Sequence, residues 1–185
     1  MSRVLIVYGT SYGQTAKVVR RLSDRLEAGG HLVTMYKGDE LPALQGLAAF
    51  DGVVVAGSVL FGRYQRYLLR FVRRHLDALR RLPSAFVSIC GAAGHPESRA
   101  QAESYISRFE AATGWQPRLS RSFAGAIAYT RYGPITRWMM KRISRRNGRS
   151  TDTSRDWELT DWGAVDGFAS EFSNLLGSTA GTGAP

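Results

Sequence analysis

The residues Thr10-Ser11-Tyr12-Gly13-Gln14-Thr15 follow directly on an apolar run and bring together small hydroxyls, one glycine and several backbone N–H groups. At the start of a helix, such a loop holds a dianionic phosphate without a positive side chain. Gly13 lets the backbone come close to the anion. Neither the Gly-Lys-Ser/Thr of a Walker loop nor the repeated glycines of a dinucleotide loop are present. The plain alternative is a helix cap, because Ser and Thr are common at helix starts. A second stretch, Gly57-Ser58-Val59-Leu60-Phe61-Gly62-Arg63-Tyr64, sets an apolar run with aromatics between two glycines. It suits a flat ring that needs stacking and backbone hydrogen bonds, with Phe61 and Tyr64 as candidate stackers. The alternative is that both simply pack onto the domain. A third stretch, Cys90-Gly91-Ala92-Ala93-Gly94-His95, leaves room on the ring's other side.

Cys90 has no partner cysteine and reads as a buried strand-end thiol rather than a redox group. His95 precedes Pro96 and reads as a cap for the next helix rather than a catalytic group; His31 and His75 read as surface residues. Three scattered histidines have no metal-ligand spacing, so no metal is expected. No Asp/Glu pair or histidine stands out as a base, and the proton-transfer residues stay unassigned.

The elements that must position these loops alternate between strand and helix, which predicts a parallel sheet covered on both faces. Val4 to Val7, Leu32 to Tyr36, Val53 to Ala56, Ala85 to Ile89 and part of Leu119 to Ile127 read as strands. Helices are predicted from Gly13 to Glu27, Tyr67 to Leu79, Glu97 to Thr113 and Asp161 to Leu176, the last capped by Thr160 or Asp161. Five such strands suit a doubly wound α/β sheet of order 2-1-3-4-5, with the ligand beyond the carboxyl ends of the strands. Residues from about 129 to 157 do not fit that count and form an insertion before the last helix. The expected domain runs from residue 1 to 176, and the small, Gly-rich stretch 177–185 is expected to be disordered.

The chain has 185 residues and a formal net charge of +10. No apolar stretch approaches the roughly 20 residues of a membrane span, and no secretory signal opens the chain. One cysteine fits a reducing cytosol. The basic excess is local. Between Glu110 and Asp152 there is no acidic residue but nine bases; removing them leaves 16 bases against 15 acids. Such a patch attracts polyanions, anionic lipid or carboxylate-bearing ligands.

With these loops in place the chain resembles the flavodoxin-like, quinone-dependent protoporphyrinogen IX dehydrogenases. The first loop resembles their phosphate loop. Further resemblances lie at Gly57-Ser58 with Gly62-Arg63-Tyr64, at Leu82-Pro83-Ser84-Ala85-Phe86, and at Ala124-Gly125-Ala126 with Tyr129-Thr130-Arg131-Tyr132. Thr151-Asp152-Thr153 and Thr160-Asp161-Trp162 complete the set, which spans about residues 3 to 176. The third loop departs from the family, being smaller and richer in glycine, and so does the tail. The resemblance implies a flavodoxin-like fold and non-covalent FMN held by Thr10 to Thr15, by Ser58, Val59, Leu60, Phe61, Gly62 and Tyr64, and by Cys90, Gly91 and Ala92. It also implies oxidation of protoporphyrinogen IX to protoporphyrin IX, with electrons passed to menaquinone or ubiquinone.

Within the insertion, Pro134 suits a first helical position, and Ile135, Trp138, Met139 and Ile143 share one face. Arg137, Lys141, Arg142, Arg145 and Arg146 flank that stripe, and Asn147-Gly148 ends it. A basic amphipathic helix carrying Trp is the expected form of an interfacial membrane binder, peripheral on the inner face of the cell membrane. Its arginines also suit the substrate's propionates, with Arg63, Arg131 and Arg137 as candidate carboxylate ligands. The alternative is packing on its own domain or on a second copy, which would make a homodimer. No helix-turn-helix, RNP aromatic pair or zinc spacing supports nucleic-acid binding. Rival functions are an electron-carrying flavodoxin, an NAD(P)H:quinone reductase and a non-catalytic FMN-binding module.

Overall fold

The computed structural model describes residues 1–38, 46–146 and 148–180. Five strands form one parallel sheet of order β2-β1-β3-β4-β5. They are β1 (Arg3–Gly9), β2 (Leu32–Lys37), β3 (Gly52–Ser58), β4 (Ser84–Cys90) and β5 (Leu119–Ala124). The inner strands β1, β3 and β4 are buried almost throughout, as a strand covered on both faces must be.

Alternation along the strands builds two cores. Val4, Ile6, Val54, Ala56, Ala85 and Val87 face α1 (Gln14–Ala28) and α6 (Trp162–Ala180). Leu5, Val7, Val53, Val55 and Phe86 face α2 (Arg66–Arg74), α3 (Leu76–Arg81) and α4 (Arg99–Thr113). Ion pairs from Arg21 and Arg25 to Asp166, at 2.7 and 2.6 Å, link α1 to α6.

Several elements differ from expectation. The helix read from Tyr67 to Leu79 is two helices, broken where His75 leaves helical geometry at φ −112°, ψ 20°. Neither Gly nor Pro marks that break, so the apolar period runs through it, and Leu79 is still buried. The helix read from Glu97 begins at Arg99, after a 3₁₀ turn over Pro96–Ser98. The helix α6 runs to Ala180, so residues 177–180 are helical rather than disordered; residues 181–185 lie outside the described residues. Asp161 caps it, its carboxylate accepting from the Ala164 N–H at 3.0 Å.

The fifth strand falls within the expected stretch and ends at Ala124. Beyond Gly125, β6 (Ala126–Ile127) pairs antiparallel with β7 (Trp157–Glu158) in a separate two-stranded sheet. That ribbon closes the base of the insertion. Between its strands lie a 3₁₀ turn over Tyr129–Arg131 and α5 (Pro134–Arg146). A third core of Ile127, Ala128, Tyr129 and Tyr132 packs against Tyr12, Met140 and Trp157. The Tyr12 and Tyr132 rings meet edge-on at 4.7 Å, so the insertion rests on the first loop. Asn147, read as part of the stop of α5, lies outside the described residues; Gly148 has φ 62°.

Candidate cofactor site

The first loop ends on Gly13 at φ 91°, a left-handed conformation that a side chain would strain. Its N–H donates to the Thr10 hydroxyl at 2.8 Å, which folds the loop over the start of α1. The first-turn N–H groups of that helix have no carbonyl ahead of them and face outward. Thr15 is fully buried, lines the cleft, and its Oγ1 has no hydrogen-bond partner. A buried hydroxyl without a partner costs about 1–3 kcal/mol, so its place at a helix N-terminus is that of a group awaiting an acceptor.

Neighbouring side chains fix the loop on three sides. Gln65 donates through Nε2 to the hydroxyls of Ser58 and Ser11, at 2.8 and 3.1 Å, tying the second loop to the first. Gln14 donates to the Thr160 hydroxyl at 2.9 Å. Arg131 donates through Nη1 to the Tyr12 carbonyl at 2.6 Å, with its Nε 3.6 Å from the Asp156 carboxylate.

Beyond this loop, at the carboxyl ends of the strands, opens a cleft of about 310 Å³. Thr10, Ser11, Tyr12, Gln14 and Thr15 line one end, and Gly13 is the helix cap behind them. Ser58, Val59, Leu60, Phe61 and Gly62 line a second side; Cys90, Gly91 and Ala92 line a third. All three sequence-predicted loops therefore meet in one place. A larger groove of about 710 Å³ runs between α4 and β5. It touches the third loop at Ala93, Gly94 and His95 and is lined by no residue of the first two loops.

Phe61 sits at φ 50° and Gly62 at φ 76°, and Leu60 and Arg63 exchange both backbone hydrogen bonds across them. This is a two-residue hairpin turn of type I′ character, which rarely takes a bulky residue. It holds an exposed phenyl ring, 57% accessible, at the cleft mouth. Tyr64 goes elsewhere. Its ring packs edge-on against Phe86 and Phe109, its hydroxyl donates to Ser88 at 2.8 Å, and burial pushes its phenol well above the usual range. The missing side chain of Gly57 makes room for it, since a Cβ there would lie 2.9 Å from Tyr64. Tyr64 is therefore partly buried against the second core and is not among the residues lining the cleft.

The other candidate residues take varied places. The guanidinium of Arg137 donates to the carbonyls of Tyr129 and Tyr132 at 3.0 and 3.1 Å, which makes it a strut of the insertion rather than a free carboxylate ligand. Arg131 is similarly engaged with the first loop. Arg63 is exposed beside Arg66 and Arg108 in a groove of about 270 Å³. That groove shares Gly62 and Tyr105 with the main cleft. His95 stands at the start of the turn before α4 but makes no side-chain cap; its Nε2 accepts from Arg149 instead, at 2.9 Å. His31 is half-buried and shares a hydrogen bond with Ser173 at 2.8 Å, and His75 packs on Phe71. Cys90 is buried, and burial pushes its thiol up, so at neutral pH it is not a thiolate nucleophile.

Residues that the sequence did not assign to the cofactor site complete the cleft: Gln101 and Tyr105 from α4, Tyr132, Met140 and Ile143 from the insertion, and Arg149. Their spacing carries no signal, because distant segments bring them together. Among the described residues, Arg149 is the one charged side chain lining the cleft. Among the described residues, no group of His, Cys, Asp or Glu could hold a metal. A half-apolar cleft with a single cation on its wall, ending in hydroxyls and free amides, suits a flat ring with a phosphate tail.

Comparisons with known proteins agree with this geometry. The flavodoxin domain model matches residues 5–154. The protoporphyrinogen IX dehydrogenase (quinone) of Escherichia coli K12 is 33% identical over 174 residues, covering 94% of this chain and 96% of the relative. The protein of that name from Leishmania major is 29% identical and covers 94% of this chain and 75% of the relative. Among solved structures, an oxidised flavodoxin from Bacillus cereus superposes with a TM-score of 0.57 at 12% identity, covering 94% of this chain and 98% of that one. A flavodoxin variant from Pseudomonas aeruginosa gives 0.55 at 17%, covering 94% and 98%. These structures share the fold. The domain indicates a flavin cofactor, and the unpartnered Thr15 hydroxyl in the cleft fits one. The chain belongs to the flavodoxin-domain family and, within it, to the group of quinone-dependent protoporphyrinogen IX dehydrogenases.

Proposed function

We propose that this chain is an FMN-dependent dehydrogenase that oxidises protoporphyrinogen IX to protoporphyrin IX and delivers the electrons to a membrane quinone. The observation that carries the cofactor reading is the buried, unpartnered Thr15 hydroxyl at the amino end of α1, facing the cleft. The relatives at 33% identity carry the name that supplies the substrate and acceptor. When bound, FMN supplies the hydride-accepting ring; the protein supplies position, electrostatics and exclusion of water.

The chain's own residues divide that work. Thr10 to Thr15 hold the phosphate. Phe61, on its constrained turn, covers the ring. The groove of Arg63, Arg66 and Arg108 receives the substrate's carboxylates, because guanidinium groups pair well with them and the groove borders the cleft at Gly62 and Tyr105. Among the described residues no acid–base pair lines the cleft, and no proton-transfer residue is assigned.

The helix α5 supports a peripheral membrane site. Met140 and Ile143 line the cleft, while Ile135 and Trp138 stand 80% and 66% exposed. Arg142, Arg145 and Arg146 are exposed on the same helix, and each base near an anionic leaflet can add roughly 1 kcal/mol. Among the described residues no helix is long and apolar enough to cross a membrane. Menaquinone or ubiquinone would then reach the cleft from the bilayer.

The test is anaerobic. FMN-loaded protein is mixed with protoporphyrinogen IX, NADH or NADPH, and flavin bleaching is followed. Bleaching by the porphyrinogen, with recovery on adding menaquinone, is expected. Bleaching by NADH or NADPH alone would overturn the substrate assignment in favour of a nicotinamide-linked quinone reductase.

A further inference from the structure

The third loop is unusually small and rich in glycine, and the structure shows what occupies the space. Arg149 lies against it. Its Nη2 donates to the Gly91 carbonyl at 2.6 Å and its Nε to His95 Nε2 at 2.9 Å. A Cβ on Gly91 would stand 3.4 Å from Nη1, and one on Gly94 3.3 Å from Nη2. The two glycines therefore leave just enough room for the guanidinium to lie against the loop, where a Cβ at Gly94 would press on it and one at Gly91 would touch it. The Arg149 N–H donates to the Ser144 carbonyl at 2.8 Å, which fixes the residue to the last turn of α5. His95 accepts only with a neutral ring protonated on Nδ1, so the contact also sets its tautomer. Arg149 is thus held by two separate segments, and among the described residues it contributes the one charged side chain on the wall of the cleft.

We infer that Arg149 is a binding residue for the flavin ring and that its charge favours the reduced cofactor. The inference rests on the flavin reading of this cleft. Hydride transfer brings two electrons and one proton, so the ring gains one negative charge. A fixed cation beside it stabilises that charge more than it stabilises the neutral oxidised ring. The pocket is therefore biased towards accepting electron pairs from a substrate. His95 acts through Arg149 and is a positioning residue.

The experiment measures flavin affinity and midpoint potential, not turnover. Apoprotein is titrated with oxidised FMN, and the loaded protein is then equilibrated anaerobically with redox dyes. In Arg149→Met the preference for reduced over oxidised FMN should fall at least about tenfold, a drop of about 30 mV for a two-electron couple. Arg149→Lys should keep most of the wild-type potential, because it keeps the charge. His95→Leu should shift the potential the same way by less, and His95→Gln, which retains an acceptor, should restore it. An unchanged potential in folded, FMN-binding Arg149→Met would overturn the inference while leaving the flavin reading intact. Should that variant fail to fold, a lowered potential in Arg149→Lys equal to that of His95→Leu would overturn it instead. Wild-type protein that binds no FMN would overturn the flavin reading itself.

Discussion

The two ends of the cleft are built by different physics. The end at Thr10 to Thr15 is local and neutral. One turn of chain supplies the hydroxyls, the left-handed glycine and the free amides, and the helix behind it supplies the polarity. The end at Gly91 and Arg149 is assembled from segments 58 residues apart and depends on charge. A local anion site reads directly from sequence because its geometry is set by neighbours along the chain. A long-range site does not, because nothing in the order of residues says which arginine of a basic run will fold back.

That contrast explains what was legible. The sheet order followed from apolar runs and helical periods, and the three loops followed from where those runs end. Tyr64 was misread because nothing local distinguishes a tyrosine facing the cleft from one turned into the space left by Gly57. Arg137 looked free because its carbonyl partners, Tyr129 and Tyr132, are exposed only by a 3₁₀ turn that has no strong composition. The break at His75 was invisible for lack of a breaker residue. Arg149 was one of nine bases until the fold set it against Gly91.

The largest expected effect sharpens the neutral end. Thr15→Val should weaken FMN binding about tenfold to a hundredfold, the value of a hydrogen bond to a charged group, about 1.5–3 kcal/mol. The apoprotein should lose no stability, since the hydroxyl has no protein partner. A thermal melt with and without FMN separates the two. If apo stability falls as much as holo stability, the hydroxyl is structural and the comparison fails.

The outer face of α5 comes next. Replacing Ile135 and Trp138 together by Ser should reduce co-sedimentation with anionic vesicles by about tenfold or more, given about 1.5–3 kcal/mol for each large apolar side chain fully buried. Melting temperature and FMN affinity should hold, because both side chains are already exposed. Undiminished vesicle binding would remove lipid as the partner of this face.

Arg137→Met tests the strut. Losing two hydrogen bonds to carbonyls should cost about 2 kcal/mol, a fall of roughly 4–8 °C for a chain of this size. Unchanged melting with selective loss of substrate affinity would return Arg137 to the role of carboxylate ligand. Gly13→Ala should cost about 1–2 kcal/mol from its left-handed backbone and should also displace Arg131, whose Nη1 would lie 2.8 Å from the new Cβ. A stability equal to wild type would mean that the first loop is not held as described.

The smallest effect concerns the clamp behind the phosphate loop. Hydrogen bonds from Arg21 and then Arg25 hold the Asp166 carboxyl well below the usual carboxylate range. A depressed folded pKa stabilises the protein above the unfolded value of about 3.9, and the gain is lost as pH falls through the folded value. The stability difference between wild type and Asp166→Asn should therefore be present at neutral pH and shrink below about pH 4. A difference independent of pH would show that the ion pairs contribute nothing through charge.

The central claim is an anion site made of hydroxyls and main-chain amides at the start of α1. It is tested most directly by titrating the apoprotein with FMN and, separately, with riboflavin, which has the same ring and no phosphate. The account predicts FMN binding tighter by about a hundredfold or more, since several charge-assisted hydrogen bonds go to the phosphate. Equal affinity for the two, or no quenching of flavin fluorescence by either, would contradict it.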